Sequence, residues 1–286
     1  MVSKLQSVAL SPDAVLEYVE QGDRSAIPVI LLHGLSDSWR SYERVLQHLP
    51  DSIHAFALSM RGHGSSGHPA DGYRPRDFAA DVAAFMDRLS IDAAVIVGHS
   101  LGSAVAQRFA IDQPQRALGL VLVGAFASLP RNPAAHELWS VVSSLTDPVD
   151  VDFVREFQQS TLAQPVPPEF FETVVHESLK LPARVWRATV EGSLQDDFSA
   201  QLHRIAAPTL IVWGEHDQTA GRSEQDALTS ALPNARLVVY PDAGHGLHWE
   251  EPQRFAADLA GFVDATVAAS GAVGIRANAA PTTPRR

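Results

Sequence analysis

The chain has 286 residues, 45% of them hydrophobic, a formal net charge of -11 and no cysteine. That length suits one α/β domain, or a core carrying a smaller insertion. The acidic balance argues against nucleic acid and anionic membrane surfaces as partners, since both favour basic faces, and the missing cysteine excludes disulfides, thiolate chemistry and cysteine-ligated metals.

Residues 1–10 alternate polar and apolar side chains and lack the apolar centre of a signal peptide. No stretch has the length needed to cross a bilayer, so the simplest expectation is a soluble cytoplasmic protein. Residues 7–10 and 15–20 read as antiparallel strands joined through Ser11, Pro12 and Asp13. A buried strand at 27–32 leads into His33-Gly34-Leu35-Ser36-Asp37-Ser38-Trp39, and a helix is expected at 41–49, closed by Pro50. The strand at 53–58 is followed by the glycine-rich loop 60–67, then by an amphipathic helix over 76–89 in which Phe78, Val82, Phe85, Met86 and Leu89 share a face.

The most informative stretch comes next. A valine- and isoleucine-rich strand ending at Val97 runs into Gly98-His99-Ser100-Leu101-Gly102, and helical spacing of apolar residues resumes over 101–110. Strand, G-x-S-x-G and helix together describe a nucleophile elbow. A serine at such an apex is forced into an unfavourable backbone conformation, and the crowding demands small residues two positions to either side, which Gly98 and Gly102 supply. The alternative is an ordinary Gly-Ser loop, so other chemistry-bearing residues must decide.

After a strand at 118–123 the pattern changes. From 126 to 200 strand signals vanish, Pro165, Pro167 and Pro168 cluster, and helices are expected at 149–160, 168–180 and 182–194. This aromatic-rich insertion reads as a lid, most of whose aromatic residues serve its own packing. The βα alternation resumes with strands at 209–213 and 237–240, a helix near 221–232 and a last helix at 250–268. The tail from 269 is expected to be loosely attached or disordered. Alternating strands and helices predict a mostly parallel sheet with helices on both faces and function at the strands' carboxyl ends.

A serine nucleophile needs a base, and the base an orienting acid, in the order serine, acid, histidine. The strand at 209–213 ends in Gly214-Glu215-His216-Asp217, and the strand at 237–240 ends before Asp242-Ala243-Gly244-His245. His245 is the candidate base. Asp217 leads as acid over Glu215 and Asp242. His33, His63 and His99 read as hydrogen-bonded loop residues, and His216 and His248 as bystanders. His245 and His248 have metal-like spacing, but no third ligand is evident, so no metal is expected. The oxyanion donors are read as the N–H of Leu101 and, from the loop after residue 32, that of Leu35. Gly34, Phe126, Trp139 and Leu247 are candidate substrate contacts.

In His33-Gly34-Leu35, residues 61–66, Gly98 to Gly102, Gly214 to Asp217 and Ala243-Gly244-His245, followed by Glu251-Pro252, the chain resembles the α/β-hydrolase fold family, in its lid-bearing serine hydrolase branch. The resemblance implies an eight-stranded, mostly parallel sheet flanked by helices. The core would comprise residues 1–125 and 201–268, with a helical lid at 126–200 and a tail at 269–286. It further implies Ser100, Asp217 and His245 as the triad, Leu35 and Leu101 as the oxyanion hole, and no cofactor. Two positions depart from the family pattern: Ser59 where an aspartate is usual, and Ser103 where a second glycine is frequent. Serine at the elbow argues against the dehalogenase and epoxide hydrolase branches, and the loop after Gly34 lacks the Gly-Pro-Gly of carbon–carbon bond hydrolases. The expected activity is hydrolysis of a hydrophobic carboxylic ester or lactone. The alternatives are a carbon–carbon bond hydrolase, a cofactor-free haloperoxidase-like enzyme, or a small-molecule receptor on the same scaffold.

Overall fold

The computed structural model describes residues 4–11 and 14–277. Strands β1 (Lys4–Ser11), β2 (Ala14–Gln21), β3 (Ile27–Leu32) and β4 (Ile53–Leu58) are followed by β5 (Ala94–His99), β6 (Ala117–Val123), β7 (Thr209–Gly214) and β8 (Ala235–Tyr240). They form one sheet in the order β1-β2-β4-β3-β5-β6-β7-β8. β2 pairs antiparallel with both β1 and β4 and every other pairing is parallel, so β2 alone runs against the rest. Pro12 and Asp13, in the expected turn between the first two strands, lie outside the described residues.

Ten helices accompany the sheet among the described residues: α1 (Glu43–Leu46), α2 (Pro75–Arg88), α3 (Leu101–Asp112), α4 (Pro133–Val142), α5 (Val151–Ser160), α6 (Pro168–Ser178), α7 (Ala183–Gln195), α8 (Arg222–Ala231), α9 (Leu247–Glu250) and α10 (Pro252–Ala277). Alternate strand residues face opposite sides. Ile30, Leu32, Ile96, Leu120 and Leu122 pack with α2 and α3, whereas Val29, Leu31, Val95, Val97, Val121 and Val123 pack with α1 and α10. Both faces are therefore covered, which is why the strands read as unbroken apolar runs.

Connectivity places the site. From β3 the chain crosses to β4 on one side, then returns past β3 to β5 on the other. Right-handed crossovers in opposite directions lie on opposite faces, which opens a crevice at the carboxyl ends of β3 and β5. Leu32 and Gly98 are register partners there, so the loop carrying Leu35 and the turn carrying Ser100 leave the sheet side by side.

Three elements differ from expectation. The helix expected at 41–49 is a 3-10 turn (Trp39–Tyr42) plus the single turn α1. Here Ser38 caps the turn through Arg40 N–H, while Tyr42 Oη–H bonds Leu32 O and Ser41 serves side-chain partners, so tertiary bonds override local propensity. Helix α4 arises between 126 and 149, where no helix was expected. The last helix begins at Pro252, because proline cannot continue α9 but suits a first turn. It runs on to Ala277, beyond the expected end at 268; extending a helix already nucleated is far easier than starting one. Residues 278–286 lie outside the described ones. No described helix is long and apolar enough to cross a membrane.

Candidate active site

Ser100 sits at the apex between β5 and α3 with φ 52° and ψ -116°, a strained conformation for a residue with a side chain. Its N–H bonds Val123 O at 2.9 Å. A Cβ on Gly98 would lie 2.1 Å from Gly102 O, and one on Gly102 would lie 2.3 Å from Leu32 O. The crowding is backbone against backbone, so no side-chain movement could relieve it. Ser103, the position where the family often has glycine, donates its hydroxyl to Ser100 O at 2.6 Å.

His245 and Asp217 meet at the ends of β8 and β7. His245 Nδ1 lies 2.8 Å from Asp217 Oδ2, and Asp217 Oδ1 accepts the N–H groups of Thr219 and Ala220, each at 2.8 Å. A carboxylate with every contact a donor fixes the imidazole with its proton on Nδ1, leaving Nε2 free to accept. Both side chains are buried, whereas Glu215, His216 and Asp242 are exposed. Gly124, at φ 51°, makes room for the pair: a Cβ there would lie 2.8 Å from His245 Nδ1 and 3.3 Å from Asp217 Oδ2.

One cavity is lined by Ser100, Leu101, His245, Gly34, Leu35 and Phe126. Leu129, Ala134, Ala135, Leu138, Phe157, Gln158, Thr161, Thr189, Val190 and Ser193, from the segment between β6 and β7, form its opposite wall. Of the expected substrate contacts, Gly34 and Phe126 line it, whereas Trp139 and Leu247 do not. On α4 the cavity face is set by Ala134, Ala135 and Leu138, and Trp139, one position further round, packs against the apolar core. Leu247 is fully buried on the α10 side of the sheet.

Four buried histidines, His33, His63, His99 and His248, are held below the ordinary histidine range. Met60 N–H donates to His33 Nε2 at 2.9 Å, so Nδ1 carries the proton and donates to Gly34 O at 2.7 Å. Burial, helped by nearby His63, keeps His33 well below the ordinary histidine range. Burial likewise lowers His63 to about 4 and His248 to about 3, and holds His99 well down. His248 Nε2 faces Ser41 Oγ at 3.1 Å, while His245 Nδ1 faces Asp217, so the two rings address different partners. Asp37, in the cavity wall, behaves oppositely: burial pushes its carboxyl up to about 7 against the donors Gln158, Ser41 and Gly34 N–H.

A family model described as alpha/beta hydrolase fold matches residues 27–252. The chain belongs to that family. This alpha/beta hydrolase is 25% identical over 245 residues to 3-oxoadipate enol-lactonase 2 of Acinetobacter baylyi, covering 85% of this chain and 91% of that one. It is 27% identical to 2-hydroxymuconate semialdehyde hydrolase of a Pseudomonas species, over 88% of this chain and 95% of the relative. A solved N-acyl homoserine lactone degrading enzyme superposes with TM-score 0.77 at 27% identity, covering 90% of this chain and all of the other.

Within the alpha/beta hydrolase frame, Ser59 is fully buried and donates to Glu17 Oε2 at 3.0 Å, so β2 supplies a carboxylate beside the position where the family usually has one. Sequence reasoning missed Gly124, Asp37 and Gln158. Gly124 directly follows a strand, a position at which glycine signals close approach. Nothing local marks Gln158, whose partners Ser36 and Asp37 lie more than 100 residues away.

Proposed function

We propose that this alpha/beta hydrolase cleaves uncharged carboxylic esters or lactones of small hydrophobic molecules through an acyl-serine. The observation that carries the reading is the Asp217–His245 pair at 2.8 Å, opening onto the cavity that Ser100 also lines. In this mechanism Ser100 Oγ attacks the carbonyl carbon as its proton passes to His245 Nε2. Asp217 stabilises the imidazolium, and the N–H groups of Leu35 and Leu101 receive the oxyanion. The proton then goes to the leaving alkoxide, and His245 activates water to release the acid. The segment between β6 and β7 acts as the lid.

The wall chemistry favours a neutral substrate. Among the described residues lining the cavity there is no lysine or arginine, and Asp37 contributes a carboxyl. The names of two relatives, 3-oxoadipate enol-lactonase 2 and 2-hydroxymuconate semialdehyde hydrolase, refer to carboxylate-bearing compounds, for which a buried site without a cation is a poor host. Hydrolysis of p-nitrophenyl butyrate by the wild type and by Ser100→Ala tests the reaction. Loss of turnover with an unchanged melting profile is expected, and retained turnover would overturn the reading. Comparing γ-lactones and butyrate esters with esters of dicarboxylic acids, and with diketones, tests the substrate class. Preference for the diketones or diacids would replace it with carbon–carbon or acidic-substrate chemistry.

A further inference from the structure

Gln158, in the last turn of α5, is buried in the seam between the inserted helices and the core. Its Nε2 lies 3.0 Å from Ser36 Oγ, 3.1 Å from Asp37 Oδ1 and 2.8 Å from Ser178 Oγ. Ser36 and Asp37 directly follow Leu35, and Ser178 ends α6, where its hydroxyl is also 3.1 Å from Ser36 Oγ. One amide thus joins two inserted helices to the loop that carries Leu35. That loop needs holding: Ser36 has φ 67°, a left-handed conformation costly for a residue with a side chain. On its far side Asp37 accepts from Ser41 Oγ at 3.3 Å and stands 3.9 Å from His99 Nδ1. Three residues beyond Gln158, Thr161 O accepts the N–H of Gly246, the neighbour of His245, at 2.8 Å. The end of α5 therefore touches the loops on both sides of Ser100. A seam needed only for cohesion is made more cheaply by apolar side chains, because a buried amide must recover its lost hydration.

We propose that Gln158 is a positioning residue: by gripping Ser36 and Asp37 it sets the backbone so that Leu35 N–H points at the developing oxyanion. The donor is in register only while α5 is seated. This rests on the reading of Leu35 as an oxyanion donor, set out above.

The test uses the purified full chain with p-nitrophenyl butyrate, comparing wild type, Gln158→Met, Gln158→Glu and Ser100→Ala, with folding followed by circular dichroism and thermal melting. Methionine keeps the length and loses the N–H groups. Removing an oxyanion donor outright costs about 100- to 1,000-fold in kcat, and misaligning one costs less. Gln158→Met is therefore expected to lower kcat about tenfold while KM moves less than about twofold, because the donor acts in the transition state. In Gln158→Glu the introduced carboxyl faces Asp37, with the Ser36 and Ser178 hydroxyls beside it and His99, His245 and Tyr42 beyond Asp37. Two carboxyls can share one proton, and losing it makes them repel. The ratio of this variant's kcat to wild type is expected to fall as pH rises, and the ratio for Gln158→Met to stay flat. Should Gln158→Met fail to fold, Gln158→Asn keeps an amide out of reach and carries the same expectation for kcat. A kcat within twofold of wild type for Gln158→Met, a rise in KM alone, or a pH-independent ratio for Gln158→Glu would overturn the proposal. Turnover retained by Ser100→Ala would instead overturn the acyl-serine reading beneath it.

Discussion

His99 Nε2 donates to the backbone carbonyl of His245 at 3.0 Å, so the residue next to the nucleophile holds the main chain of the candidate base. Since a carbonyl only accepts, the proton sits on Nε2, and burial with the nearby rings of His248 and His245 keeps His99 uncharged. His99→Phe preserves an aromatic ring and removes the donor. Leaving a buried carbonyl unpaired costs about 1–3 kcal/mol, so a lower melting temperature and a reduced kcat are expected. His99→Gln, which retains an N–H donor, should lose less of both in parallel melting and turnover assays.

Asp217→Asn tests the acid. An amide nitrogen turned towards His245 Nδ1 would favour the opposite tautomer and block Nε2 as a base, a change worth on the order of 10,000-fold in kcat in a comparable triad. The amide oxygen can still accept from Thr219 and Ala220, so the fold should be retained. Steady-state kinetics combined with circular dichroism separate the two effects.

Gly98→Ala and Gly102→Ala each place a methyl group about 2 Å from a backbone oxygen. Overpacking usually costs about 1–3 kcal/mol when side chains can adjust. Here only the elbow itself could move, so losses at or above the top of that range are expected. A melting temperature near that of wild type for either variant would contradict the contact geometry.

Stability should depend on pH through the buried histidines. Unfolded, they titrate near 6.5; folded, His63 is lowered to about 4 and His248 to about 3. Between those values the unfolded chain binds more protons, so stability rises as pH rises from about 4 to 6.5. Asp37 works against this. Its carboxyl is pushed up to about 7 when folded, so the folded state binds the extra proton and stability falls over the same window. Asp37→Asn is therefore expected to steepen the rise in melting temperature between pH 4 and 6.5, as a pH series of thermal melts would reveal.

Much of this was legible in the sequence because it is local. The strands at 27–32, 53–58 and 118–123 are apolar runs bounded by turns, and the crowding at Gly98 and Gly102 follows from the elbow's own backbone. Asp217 already led Glu215 and Asp242 in the sequence, and the coordinates add that it is the buried one of the three, 2.8 Å from His245 Nδ1. Helix α4 carried a signal that went unused: Asn132 accepts Ala135 N–H at 2.9 Å as its cap, with Pro133 in the first turn. Leu138 lines the cavity and Trp139 does not, because one residue on a helix turns a side chain by about 100°. The contacts from Gln158 to Ser36 and Asp37 join segments more than 100 residues apart, and no local pattern encodes them.

The backbone angles of Ser100 exist only because β5 is clasped between β3 and β6 while α3 presses from above. A denatured or half-assembled copy has no reason to keep them, and the three side chains of the proposed triad drift apart with the strand ends that carry them. On the proposed reading, turnover is expected only from molecules in which these strands are paired.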